Sequence, residues 1–337
     1  MTAVALLGAG AWGTALAVHL AERAAARPSV TLWTRDAAQA RALDRERVNA
    51  RYLPGIGLPR ALNITSDLGL AVRAELLVVA TPAAALPELV RELAAQGATA
   101  PLIWLSKGFV RAPSLPAGVG LAHQVIAPMW PTAVGIVSGP TFAEEVARGL
   151  PAALTVAATA PGLAATVATL LRGDSLRAYE SDDVAGVEIG GAIKNILAIA
   201  AGASDGLGFG HNARAALITR GLAETGRLSA ALGGKRETLM GLAGLGDLVL
   251  TCTGDLSRNR SVGVELGKGE KLADIIARMH GAVAEGVFTA RVAVALARKK
   301  GVEMPITEQM YAILENGKSP QQAISDLMTR AARSEVS

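Results

Sequence analysis

Along the first half of the chain, short aliphatic runs alternate with alanine-rich stretches of helical period. Residues 4–7, 30–33, 76–79, 102–105 and 134–137 are short β-branched or Leu/Val runs, as in strands covered on both faces. Segments 14–23, 37–48 and 84–95 read as helices between several of them. This alternation predicts a mostly parallel sheet with helices on both sides. The uncharged stretch 149–171 is long enough to span a bilayer, but it is mostly Ala, Thr and Gly and is interrupted by Pro151 and Pro161. A buried strand over 152–156, a turn at Pro161-Gly162 and a helix ending near Arg172 fit it better. Beyond about residue 180 the pattern predicts helices alone, over 184–201, 213–231, 273–279, 287–299 and 306–314. The pattern predicts an α/β domain over 1–180 followed by an all-α domain over 181–337, with a cleft between them.

Composition narrows the chemistry. The chain has 337 residues, 51% of them hydrophobic, which excludes a disordered protein; only 3% are aromatic, so the core must be aliphatic. The single cysteine, Cys252, allows neither an internal disulfide nor a cysteine-built metal site, and fits a reducing compartment. A net charge of +4 with no long basic stripe argues against a nucleic-acid binder. The apolar N-terminus lacks a basic leader region. The expectation is a soluble cytoplasmic protein with no membrane span and no metal.

The run 4–7 leads into Gly8-Ala9-Gly10-Ala11-Trp12-Gly13, and a helix follows. In that context Gly8 permits a tight turn, Gly10 lets backbone approach a pyrophosphate, and Gly13 allows close helix–strand packing. The free N–H groups of the helix start then face the phosphates. The second strand runs into Thr34-Arg35-Asp36. Asp36 and Gln39 have the spacing of a capping box, which leaves Arg35 to meet a ribose 2′-phosphate. On that reading NADPH is the preferred dinucleotide, with NADH possible; the alternative is a solvated surface arginine that meets no cofactor.

In the second half, Lys194-Asn195 interrupts an apolar segment, and helical spacing places Gly190, Gly191 and Lys194 on one face. A lysine snorkelling to solvent is the alternative. Asp247 follows Gly244-Leu245-Gly246. Ser257-Arg258-Asn259 reads as a helix start capped by Asp255 or Ser257, suited to holding a phosphate. Lys107-Gly108 lies at the carboxyl end of a strand, where open α/β sheets bind ligands.

Taken in order, GAGAWGTALA (8–17), RYLPG (51–55), LSKGF (105–109), SGPTFAEEVA (138–147), GGAIKNILAIAAG (190–202), NARAALITRGLAE (212–224), GLAGLGDLVLTCTG (241–254), SRNR (257–260) and VAEGVFTA (283–290) resemble the bacterial NAD(P)-dependent glycerol-3-phosphate dehydrogenases. Two departures are visible: Ala11 stands where that family commonly has serine, and His211 where aspartate is frequent. The resemblance implies an α/β Rossmann-like dinucleotide-binding domain (1–180) followed by an all-α substrate and catalytic domain (181–337), and interconversion of sn-glycerol 3-phosphate and dihydroxyacetone phosphate, supplying phospholipid synthesis. It implies that Lys194 is the proton donor and acceptor, supported by Asp247. It assigns Lys107, Gly139, Thr141, Lys194, Asp247, Ser257, Arg258 and Asn259 to the substrate. Besides the three glycines, Ala11, Trp12, Arg35, Tyr52, Lys107, Ala143, Arg258, Val283 and Glu285 would line the cofactor. It leaves oligomeric state open, a homodimer being one option.

Lysine's reference pKa near 10.4 is high for proton exchange at neutral pH. Burial would bring it closer, while a neighbouring Asp247 would oppose that. Two rival readings are a β-hydroxyacid dehydrogenase, which places its asparagine four residues after the lysine where this chain has Ala198, and a non-catalytic NADP-binding module, which would not need Lys194, Asp247 and Arg258 together.

Overall fold

Strand β1 (Ala3–Leu7) shows why the first half forms a sheet covered on both faces. Val4 and Leu6 enter one apolar cluster and Ala5 and Leu7 another, and all four are buried. Seven further strands join it: β2 (Ser29–Trp33), β3 (Asn63–Thr65), β4 (Leu76–Val79), β5 (Leu102–Trp104), β6 (Val134–Ser138), β7 (Ala152–Ala158) and β8 (Leu176–Ser181). Their spatial order is β3-β2-β1-β4-β5-β6-β7-β8, parallel throughout except between β6 and β7. The first six thus follow the 3-2-1-4-5-6 order of a Rossmann sheet, with the strand order reversing between β1 and β4. This computed structural model describes residues 2–22, 28–115, 117–278 and 284–331.

Helices α1 (Ala11–Glu22), α2 (Ala37–Glu46), α3 (Leu86–Ala95) and α4 (Pro161–Leu171) accompany the sheet. Leu16 and Leu20 of α1 and Leu163 and Val167 of α4 cover one face; Leu86, Leu89, Val90 and Leu93 of α3 cover the other. Two outer strands escaped the sequence pattern, each for a physical reason. β3 is only three residues long and partly exposed, and β8 reads LRAYES with burial at Leu176 and Ala178 alone. Pro161-Gly162 forms the first turn of α4 and not a separate turn, because a proline at the first helical position loses no needed N–H.

Contacts divide the chain into two compact units, Met1–Glu188 with Gly241–Ala243, and Ile189–Met240 with Gly244–Ser337. Past β8 the described residues hold helices only: α5 (Val184–Gly206), α6 (Gly210–Ala231), α7 (Asp247–Thr253), α8 (Arg258–Gly267), α9 (Leu272–Arg278), α10 (Ala284–Lys300), α11 (Pro305–Asn316) and α12 (Pro320–Met328), with a short turn of helix at Arg236–Leu239. α5 is the one described helix long and apolar enough to cross a membrane, and 94% of that stretch is buried inside the protein.

Helix α11 lacks a side-chain cap of its own, since Met304 precedes it. Glu224, buried on α6, takes that role: its carboxylate accepts from the backbone N–H groups of Ile306 (2.7 Å) and Thr307 (3.2 Å) and from the Thr307 hydroxyl (3.2 Å). Burial pushes this carboxyl from 4.5 up to about 7, against the opposing pull of those hydrogen bonds. The folded state therefore holds an extra proton between those values. Its contribution to stability is full below pH 4.5 and is lost as pH rises towards 7. Glu224→Gln should flatten the dependence of Tm on pH across that window in calorimetry, whatever its absolute Tm; a wild-type slope in the variant would show that Glu224 stays ionised.

Candidate active site

The loop after β1 shows three different reasons for glycine. Gly8 has φ +126° and donates to the Trp33 carbonyl at 2.9 Å, and a Cβ there would stand 2.8 Å from the Ala80 carbonyl oxygen. A Cβ at Gly13 would lie 2.0 Å from the Gly8 oxygen, so α1 is seated directly on the turn. At Gly10 a Cβ would meet no protein atom within 4 Å. Packing accounts for Gly8 and Gly13 and leaves Gly10 with open space beside the N-terminus of α1. These residues fit a dinucleotide pyrophosphate, which needs backbone N–H groups and no intervening side chain.

Polar side chains from elsewhere pin this loop. The Ala9 carbonyl accepts from Asn49 Nδ2 (3.0 Å) and from Gln39 Nε2 (3.2 Å), and Asn49 also donates to the Thr14 hydroxyl (2.8 Å). Asn49, buried and 40 residues from Ala9, was not singled out in the sequence; its only signal was an asparagine just ahead of RYLPG. The expected capping box is half formed. Asp36 Oδ1 accepts from the N–H groups of Ala38 (2.8 Å) and Gln39 (3.2 Å). The Gln39 side chain does not return to Asp36; it accepts from the Thr34 hydroxyl (2.6 Å) and reaches the glycine loop, a better-buried partner than a solvent-facing cap. Arg35 is exposed beside this capped turn.

The other first-unit candidates fall into two groups. Ala11 and Trp12 open α1, and Ala143 opens the helix Ala143–Ala147, which packs on α1; the strand Leu53–Gly57 touches both helices. Tyr52 immediately precedes that strand, exposed, with the Arg51 guanidinium 5.0 Å from its ring centre. Lys107 follows β5, and its Nζ donates to the Gly139 carbonyl at 3.2 Å; the Thr141 hydroxyl donates to the same oxygen at 3.1 Å. Lys107, Gly139 and Thr141 thus meet at one point near the carboxyl ends of β5 and β6.

In the second unit, Lys194 on α5 does not snorkel. It is 9% exposed, and its Nζ donates to Asp247 Oδ1 at 2.5 Å and to the Thr251 hydroxyl at 3.0 Å. Asp247 is 1% exposed and opens α7, delivered there by the wide turn Leu242–Gly246. Gly244 in that turn lies so close to Leu239 that a Cβ would be 2.2 Å from its oxygen. Thr251, one helical turn after Asp247, was missed in the sequence; its place in LTCTG gave no hint of the lysine. A small pocket beside Lys194 is lined by Gly190, Leu197, Leu222, Thr225, Gly244 and Leu248. The neighbouring Cys252 thiol is held up at about 12 by burial and stays protonated.

Ser257 is the cap of α8, its Oγ accepting from the Arg260 N–H at 3.3 Å; Asp255 is not, and pairs with Arg260 instead. Arg258 is exposed in the first turn. Asn259 Nδ2 donates to Asn195 Oδ1 at 3.0 Å, tying that turn to the residue after Lys194. Glu285 lies in the first turn of α10, and Val283 falls outside the described residues.

In one unit a paired lysine beside a helix start can support proton transfer, and in the other a glycine loop open to a pyrophosphate can take a dinucleotide. Comparison with known proteins agrees. A family model for the NAD-dependent glycerol-3-phosphate dehydrogenase N-terminus matches residues 3–164, and one for its C-terminus matches residues 183–325. Glycerol-3-phosphate dehydrogenase [NAD(P)+] of Variovorax paradoxus is 54% identical, with 96% of each chain covered, and that of Methylibium petroleiphilum is 50% identical, with 98% of each covered. The crystal structure of glycerol-3-phosphate dehydrogenase from Coxiella burnetii is similar at TM-score 0.90 and 40% identity, covering 98% of this chain and 99% of that one. By both halves of its sequence, the chain belongs to the NAD-dependent glycerol-3-phosphate dehydrogenase family.

Proposed function

We propose that the chain is an oxidoreductase interconverting sn-glycerol 3-phosphate and dihydroxyacetone phosphate, with NAD(P) as hydride carrier. The first unit is the dinucleotide-binding domain and the second the substrate and catalytic domain. The observation that carries this reading is the buried Lys194–Asp247–Thr251 cluster, joined through Asn195 and Asn259 to the first turn of α8. Its setting is cytoplasmic, and its product feeds phospholipid synthesis.

The nicotinamide, when bound, supplies or accepts the hydride at C2. The protein must move the matching proton on the C2 oxygen. Lys194 Nζ carries an N–H to donate to that oxygen in reduction and takes the proton back in oxidation. Asp247 and Thr251 hold Nζ in place, and the carboxylate balances an ammonium that would otherwise be buried alone. Arg258 and the N–H groups of the first turn of α8 hold the phosphate, remote from the reacting carbon, so its binding energy orients C2. Ser257 shapes that turn, and Asn259 locks it to Asn195. Lys107, Gly139 and Thr141, which meet at one point in the first unit, are assigned to the substrate as well, and Lys107 also to the cofactor. The glycine loop with Ala11 and Trp12 takes the pyrophosphate, and Tyr52 and Ala143 other parts of the dinucleotide.

NADPH is the preferred cofactor. Asp36 spends its carboxylate on the N–H groups of α2, which reduces its repulsion of a 2′-phosphate, and Arg35 stands exposed next to it.

As the general acid and base, Lys194 contributes roughly 10²–10⁴ in kcat. Lys194→Ala should lose that turnover while still binding NADPH by fluorescence titration; more than half of wild-type kcat would end its role. A charge-assisted hydrogen bond contributes about 1.5–3 kcal/mol, so Arg258→Ala should weaken dihydroxyacetone phosphate roughly 10- to 150-fold. The same variant should leave unphosphorylated dihydroxyacetone, a poor substrate from the start, almost unchanged; equal losses on both would remove Arg258 from the phosphate. Arg35→Ala should raise KM for NADPH roughly 5- to 30-fold at low salt and hardly alter KM for NADH, a contrast that shrinks as salt screens the exposed charge. Equal effects on both nucleotides would overturn the preference.

A further inference from the structure

Helices α5 and α8 cross more closely than side chains allow. Cβ atoms at Gly202 and Gly206 would stand 2.0 and 2.2 Å from the carbonyl oxygens of Arg260 and Val264. At Gly263 and Gly267 they would stand 2.0 and 2.4 Å from those of Ile199 and Ala203. Each pair is four residues apart, on one face of its helix, so the two backbones touch along the crossing. That contact fixes the distance between the helices. It does not by itself fix where the first turn of α8 points.

The first turn has its own clamp. Asp205, on the last turn of α5, accepts from Arg214 Nε (2.8 Å) and Nη2 (2.6 Å) through Oδ1, and from Arg260 Nε (2.9 Å) through Oδ2. Arg260 also reaches Asp255, just ahead of the helix, at 3.1 Å. Its backbone N–H is the one that Ser257 caps. The Asp205 side chain is only 10% exposed and that of Arg260 19%, so these bonds are screened far less than surface pairs. Two guanidinium forks on one carboxylate restrict it more tightly than a single flexible ammonium would.

We infer that Asp205 and Arg260 are positioning residues for phosphate recognition. Anchored by Arg214 on α6, the Asp205 carboxylate holds Arg260, and with it the turn that carries Arg258 and Asn259, in register with Lys194 on α5. The inference rests on the proposed reading of Arg258 as the phosphate contact. Neither residue touches the reacting atoms; both act through the placement of that turn.

The test compares Asp205→Asn and Arg260→Gln with the wild-type enzyme. KM for dihydroxyacetone phosphate and the inhibition constant of inorganic phosphate should rise together, roughly 5- to 20-fold, equivalent to about 1–2 kcal/mol. Turnover and the rate with dihydroxyacetone should stay near wild type, a split that general destabilisation would not produce. Arg260→Lys, which keeps the charge, should recover part of the loss, and it carries the comparison if Arg260→Gln does not fold. In an Arg258→Ala background, Asp205→Asn should add less than about twofold, because both act on one contact. Additive losses, or equal losses on the phosphorylated and unphosphorylated compounds, would overturn the inference. Stabilisation of Tm by inorganic phosphate gives the same comparison without turnover. A wild-type enzyme inert towards dihydroxyacetone phosphate but losing phosphate stabilisation in Asp205→Asn would overturn the dehydrogenase reading and keep the clamp.

Discussion

A methyl group at Gly13 would stand 2.0 Å from the Gly8 carbonyl oxygen, and one at Gly263 would stand 2.0 Å from that of Ile199. In each unit, backbone packed against backbone sets where the polar groups lie. In the first, α1 sits directly on the turn that leaves β1, so its free N–H groups open onto the space beside Gly10. In the second, α5 and α8 approach until their main chains meet, and Asn195 comes within hydrogen-bond reach of Asn259. Glycine is the residue that permits such approach, and an aliphatic core poor in large rings leaves room for it.

Charged groups buried in these packed regions find partners. Lys194 and Asp247 neutralise one another where a lone charge would carry a desolvation penalty of several kcal/mol. Thr251 bridges them, its hydroxyl also bonding the Asp247 carbonyl at 2.6 Å. Glu224 serves the start of α11, whose own cap residue has no acceptor. Such networks add little net stability, but each admits few alternative geometries. Nζ of Lys194 is thereby directed by residues of a different helix.

Much of this was legible in the chain. The aliphatic runs located six of the eight sheet strands, because a strand buried on both faces needs no partner to declare it. The outer strands β3 and β8 were missed, since their exposure mixes polar residues into the run. The turn at Gly8 and the close packing at Gly13 could be read, as could the Asp36 cap, since turn and cap chemistry act within a few residues. The Asp36–Gln39 spacing was read correctly as a cap and wrongly as a box: Gln39 had a competing partner, Ala9, 30 residues away.

By itself, then, the sequence determined the α/β half, the helical half, the glycine turn and the helix starts. These depend on periodicity and on hydrogen bonds between near neighbours, which the order of residues specifies directly. Only the tertiary structure decided the partners. Lys194 meets Asp247 across 53 residues and Thr251 across 57, and Asn195 meets Asn259 across 64. Asp205 holds two arginines 9 and 55 residues away. No local pattern encodes such pairs, because they exist only once the helices carrying them have packed and the approach of their backbones has selected which side chains can touch.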